Sequence, residues 1–240
     1  MRGIRMIRAR RAGSPETERY SVLTVPARTA TLRLPLQERS RRTLARLLDA
    51  TEALLVDRRF EEIRIEEIVR RARTSVGAFY ARFRDKDALL PALYERYDEE
   101  LGRRMRALER RRGERTLEDA AAVVVRELLR LFRERTNLMR ALALYARAHA
   151  EAIGTEARVR RERQVTVFRE ALLAHRARIA HPDPQRAVEL ALFFAASALR
   201  ERVLFADSTH AASTRLTDSE LVRETTRMLV GYLTVSGGVP

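Results

Sequence analysis

The chain has no cysteine, so it holds no disulfide framework and no cysteine-ligated zinc site. Proline and glycine are scarce, at 7 and 9 of 240 residues, and most of the prolines lie outside the periodic stretches. Aromatics make up only 6% against 45% hydrophobic residues, which leaves material for a sizeable core without aromatic-rich sheets. Of the 48 basic residues one alone, Lys86, is lysine; a preference for arginine of this kind is what genomic base composition produces. No membrane-spanning run exists: the most apolar stretch, Ala187 to Leu199, is too short and contains Glu189. Arg10 and Arg11 are followed by no apolar segment, so no export signal is expected and the expected location is the cytoplasm.

What is present is helix-forming: Ala, Leu, Arg and Glu dominate. The net charge of +15 attracts polyanions in a general way, but it is spread along the chain. Residues 1–36, with Gly13, Ser14, Pro15, Pro26 and Pro35, lack periodicity and are expected to be a disordered basic arm. From there Leu44, Leu47, Leu48, Thr51, Leu54 and Leu55 form one helical stripe. A short helix is expected from Ile65 to Ala72, with Ile65, Ile68 and Val69 inward. A third follows from its Ser75 cap to Phe83. Asp85 caps a fourth helix, Lys86 to about Arg110, in which Pro91 should remove one backbone bond and introduce a kink. Further helices are expected over 117–135, 137–153, 155–180, 184–205 and 217–234. Asp183-Pro184 and the Thr217-x-x-Glu220 capping box mark the starts of the last two. The fold class is therefore all-α. The expected division is an arm over 1–36, a unit of short helices over 37–84, and a longer helical segment over 85–240.

Three short helices with a tight turn before the third describe a helix-turn-helix unit, whose third helix enters the major groove. On that reading Gly77, which weakens a helix by about 1 kcal/mol relative to alanine, lets the backbone approach DNA closely. Phe79 and Phe83 share the inward face, Tyr80 can reach a phosphate, and Lys86 opens the next helix, where free N–H groups already favour an anion. Arg41, Arg42 and Arg46 near the start of the first helix are further candidates for the DNA backbone.

The stretch Ala72-Arg73-Thr74-Ser75-Val76-Gly77-Ala78-Phe79-Tyr80-Ala81-Arg82-Phe83, then Asp85-Lys86-Asp87 and Leu89, resembles the recognition region of the TetR family of bacterial transcriptional regulators. Leu47 to Ala50, Phe60 and Ile65 to Ile68 fit upstream. The resemblance covers residues 40–90. It implies a helix-turn-helix DNA-binding domain over 37–84, a helical effector-binding and dimerisation domain over 85–240 that takes a small-molecule effector, a homodimer on a double-stranded DNA operator with two-fold symmetry, and no enzymatic activity. The DNA-binding residues it implies are Arg42, Thr74, Ser75, Val76, Gly77, Tyr80, Ala81, Arg82 and Lys86. Two positions depart from the family pattern. Arg73 replaces the usual turn glycine, at a cost of roughly 1–2 kcal/mol if left-handed angles are needed. Val76 and Ala81 stand where base-contacting side chains are common, and can offer only apolar contact to a thymine methyl.

For the effector, Tyr97, Tyr145, His149 and Phe168 are the candidate ligand-binding residues, without a spacing argument to select among them. No cofactor, metal ligand set, nucleophile–base pair or phosphate-binding glycine loop is expected. The function expected is a ligand-responsive regulator, a repressor; the alternative is a helical adaptor that keeps the fold without specific DNA binding.

Overall fold

The computed structural model describes residues 30–109, 113, 116–149, 155–207 and 216–235. The regular elements among them are all helical: α1 Ala30–Leu54, α2 Ile65–Arg71, α3 Val76–Tyr80, α4 Leu89–Glu109, α5 Leu117–Glu134, α6 Thr136–Ala148, α7 Thr155–Leu173, α8 Pro184–Leu204 and α9 Asp218–Thr234. Among the described residues no helix is long and apolar enough to cross a membrane. The first helix begins at Ala30, inside the segment expected as an arm; Ala30, Leu32, Arg33 and Leu34 are strong helix formers. The rest of the expected arm, residues 1–29, lies outside the described residues.

The local start signals act as chemistry demands. The Ser75, Thr116, Asp183 and Thr217 side chains each accept a backbone N–H three residues on, satisfying donors that a helix start leaves open. Glu67 and Glu220 reach back to the N–H groups of Arg64 and Thr217. These bonds bias the carboxyls. Glu67 is held below the ordinary range by Arg58 first and the Arg64 N–H second. Asp85 is held down by Arg84 and then the Ala88 N–H, and Glu220 by the N–H and hydroxyl of Thr217. All three bind fewer protons folded than unfolded. Their stabilisation is therefore complete above the unfolded carboxyl range, about pH 4, and is lost as pH falls through the lower folded values. Melting temperatures recorded from pH 7 to 3 should be level to about pH 5 and then decline; a curve flat to pH 3 would contradict this.

Several expected helices change length, α3 among them, which ends at Tyr80 and not at Phe83. The helix expected to reach Ala180 stops at Leu173 and is followed by a 3-10 turn, Arg176–Arg178. The chain turns there because Ile179 is buried and the Ala180 N–H donates to Leu233 O in the last turn of α9, a contact no local pattern announces. The expected kink at Pro91 is also corrected. Helix α4 begins at Leu89, and Asp87 O is already taken by the Leu90 N–H at 2.9 Å. Pro91 therefore sits in the first turn, where a missing N–H costs nothing.

Leu47, Leu48, Ala50 and Leu55 of the first helical segment pack with Phe60, Ile63, Ile68, Val69, Phe79 and Phe83 into one cluster that continues through Leu89, Leu90 and Leu93 of α4. Thr51, fully buried among them, satisfies its hydroxyl on Leu47 O at 2.7 Å. The larger layer is built around α5, which packs on α7, α8 and α9, while α4 packs on α6 and α7.

Candidate nucleic-acid interface and ligand cavity

Helix α2 ends in a Schellman turn. The Arg73 N–H donates to Arg70 O and the Thr74 N–H to Val69 O, at 3.2 and 2.9 Å, which requires the first of these two donor residues to take left-handed angles. That residue is Arg73, at φ 51°. The turn has kept its place, and the arginine bears the strain. Arg46 supports it by donating to Arg73 O at 3.5 Å and to Thr43 Oγ1 at 3.3 Å. Substituting Arg73→Gly should therefore raise stability by about 0.5–1 kcal/mol, part of the relief being offset by greater freedom of the unfolded chain. Urea titration of the two proteins measures it, and an unchanged midpoint would mean that the angle is unstrained.

The turn aims α3 outward. Phe79 is fully buried, edge-on to Tyr80 and packed on Phe83 with ring centroids 5.4 Å apart in each case. The opposite side carries exposed Ser75, Val76, Gly77, Tyr80 and Ala81, with Thr74 half-buried beside them. Val76 is 40% and Tyr80 54% exposed. A Cβ placed on Gly77 would meet only Ser75 Oγ, at 3.9 Å. Arg82 is less available than its sequence position suggests, because Nη1 donates back to Ala78 O at 2.9 Å. Ser75 Oγ is engaged as an acceptor by the Ala78 N–H, which leaves its hydroxyl proton for an outside acceptor. Arg42 lies exposed on α1.

Lys86 is a correction. Its ammonium was expected to seat a phosphate beside a helix terminus. Instead Nζ donates to Phe60 O at 2.7 Å, Ile63 O at 2.9 Å and Glu61 O at 3.3 Å, and lies 4.7 Å from the centre of the Phe60 ring. The three protons of the side chain meet three carbonyls around the 3-10 turn Phe60–Glu62. The helix it was to open starts three residues later, at Leu89, with the Asp85 carboxylate accepting the Ala88 N–H in front of it.

A cavity of about 440 Å³ lies among α4, α5, α6, α7 and α8. Its walls are mostly apolar, with Leu101, Phe132, Met139 and Leu192 from four helices, and Glu162, Arg169 and Glu189 form its charged margin. Arg169 is bound to Glu162 at 2.9 Å and to Thr166 Oγ1 at 3.0 Å. Of the four ligand candidates, Tyr97 and Phe168 line this cavity. The other two do not. Tyr145 and His149 stack on one another at 4.4 Å near the end of α6, and His149 Nδ1 lies 3.2 Å from Tyr145 O. The wall residues that sequence reasoning missed carry ordinary apolar spacing, indistinguishable in the sequence from core.

Residues 47–93 match the family described as bacterial regulatory proteins, tetR family. No curated protein matches the chain. Similar solved structures include a putative TetR-family transcriptional regulator from Mesorhizobium loti, 19% identical over 81% of this chain and 96% of that one, with a TM-score of 0.54. E. coli NemR in its reduced form is 19% identical over 82% and 99% of the two chains, with a TM-score of 0.51. The fatty acid degradation regulator FadR from Bacillus halodurans is 14% identical over 79% and 95%, also at 0.51. At these identities the likeness is one of fold.

Proposed function

The chain carries a TetR-family DNA-binding segment over residues 47–93, and from that premise we propose that it is a ligand-responsive transcriptional regulator. It acts as a cytoplasmic repressor that binds a palindromic operator as a homodimer. The observation that carries the reading is the outer face of α3. A bare glycine backbone, Val76 and the Tyr80 ring are presented to solvent, and nothing among the described residues covers them. A recognition helix in a major groove uses such a face, with Val76 and Ala81 against thymine methyls and Tyr80 against a phosphate. Arg42, Thr74 and Ser75 border the same face in this reading.

The division proposed is the one read from the sequence: an arm over 1–36, a helix-turn-helix DNA-binding unit over 37–84, and an effector and dimer unit over 85–240. Dimerisation is supported by where apolar surface remains. Leu204, Leu221 and Leu229 are inside the subunit, whereas Phe193, Phe194 and Met228 are at least half exposed on the adjacent helices α8 and α9. Packing these faces about a two-fold axis gives a four-helix bundle. An effector in the 440 Å³ cavity presses on α4 through Tyr97 and Leu101. It thereby alters the separation of the two recognition helices, which half-sites require to be about 34–36 Å.

Selection of bound duplexes from a random pool with the purified protein tests the proposal. A two-fold symmetric site with half-sites one helical turn apart is expected. Recovery of unrelated sequences only, with affinity set by salt alone, would instead favour the helical adaptor.

A further inference from the structure

We infer that Arg135, the single residue between α5 and α6, is the positioning residue through which the cavity acts on the DNA-binding helices; the inference rests on reading that cavity as the effector site. Arg135 ends α5 and precedes α6 with non-helical angles, φ −140° and ψ 52°, so the two helices turn on it. Its Nη2 pairs with Glu100 of α4 at 2.8 Å. Its Nη1 faces Glu52 of α1 at 3.7 Å. Both the Nη1 and the Glu52 Oε1 are buried, and neither makes a hydrogen bond. The two side chains stand in a cleft between α1 and the α5–α6 corner, 35% and 19% exposed, with Arg96 Nε also 3.7 Å from the same Glu52 oxygen, and the facing atoms are left about 1 Å short of hydrogen-bonding distance.

The corner that carries Arg135 touches both sites. Phe132, three residues before it, and Met139, four after it, line the cavity, as do Tyr97 and Leu101 on either side of Glu100. On the other side the same corner holds the DNA-binding unit. Asn137 Nδ2 donates to Leu55 O at 3.1 Å just beyond the end of α1. Arg140 holds Leu204 O and Asp207 at 2.8 and 3.0 Å, and Asp207 in turn pairs with Arg59 at 3.1 Å. The bonds of Asn137 and Arg140 are already made, so they act as pivots. The pair between Arg135 and Glu52 is the contact with room to close. Interfaces of this kind switch between discrete arrangements rather than deforming smoothly. An open pair and a hydrogen-bonded pair are the two arrangements, and a ligand pressing on Phe132 or Met139 selects between them.

The test uses the whole chain, an operator duplex recovered by selection, and Nile red as an uncharged probe of the cavity. The ratio of Nile red dissociation constants with and without saturating operator measures the coupling, which is reciprocal. In the parent protein that ratio should be about 5 or more. Arg135→Met should bring it close to 1, with the affinity for each ligand alone changing by less than about threefold. Glu52→Gln should do the same from the other side, and the double variant should lose nothing further. Arg130→Met, which breaks an exposed pair with Glu134 near the same corner, should keep the parental ratio. An intact ratio in Arg135→Met overturns the inference alone. A loss of coupling that merely follows a loss of folded protein in both single variants also overturns it. A parental ratio of 1 overturns the effector reading, and this inference with it.

Discussion

Replacing Gly77 with leucine should weaken operator binding by about a hundredfold or more, equivalent to roughly 2.7 kcal/mol, while the melting temperature stays level or rises. The two halves of this result have separate causes. Inside the chain the substitution is free: the backbone at Gly77 is ordinary helix, and a Cβ would find Ser75 Oγ at 3.9 Å and otherwise open space. Helix propensity then favours leucine by about 0.5–1 kcal/mol. Outside the chain, a leucine would stand between α3 and the groove floor and hold Tyr80 away from its phosphate. The chain places glycine where the fold has no need of one and, four residues earlier, arginine where the fold needs left-handed angles. On the proposed reading, a partner outside the chain would account for that inversion. Gel shifts with the selected operator, paired with thermal melts, read both halves. Tight binding by a well-folded Gly77→Leu protein would remove α3 from the DNA interface.

Lys86→Met should lower stability by about 3 kcal/mol, within the range for losing hydrogen bonds to a charged donor and leaving part-buried carbonyls unmet. Methionine keeps the aliphatic stem over the Phe60 ring but supplies no proton to Phe60 O, Glu61 O or Ile63 O. Those carbonyls belong to the turn that joins α1 to α2, so its loosening would displace α3. Affinity for DNA should fall only as folded protein is lost, and the slope of affinity against salt should stay parental. A direct phosphate contact would instead lower that slope by about one per contact. A salt slope reduced in a fully stable Lys86→Met protein would return the ammonium to the interface.

The helix-turn-helix was legible because its signals are short-range. The caps at Ser75, Asp85, Thr116, Asp183 and Thr217 bind an N–H three residues away, and the Phe79–Phe83 pair repeats at one helical turn. Arg73 could be flagged in advance for the same reason, since the need for left-handed angles belongs to the turn and not to its surroundings. Lys86 was assigned to an outside anion because its acceptors lie 23 to 26 residues upstream, and no spacing rule points to them. Tyr97 and Phe168 were picked with Tyr145 and His149 on residue type alone, and only the packing of five helices separated the first pair from the second.

The sequence by itself determined which segments are helical, where most of them begin and which face of α3 turns inward, since each of these depends on residues within a turn or two of one another. The tertiary structure decided what a charged side chain binds, which apolar residues border empty space instead of filling it, and where one helix hands its load to another at Arg135. Those outcomes depend on groups brought together across 20 to 90 positions of chain, and such distances are set by the packing of whole helices.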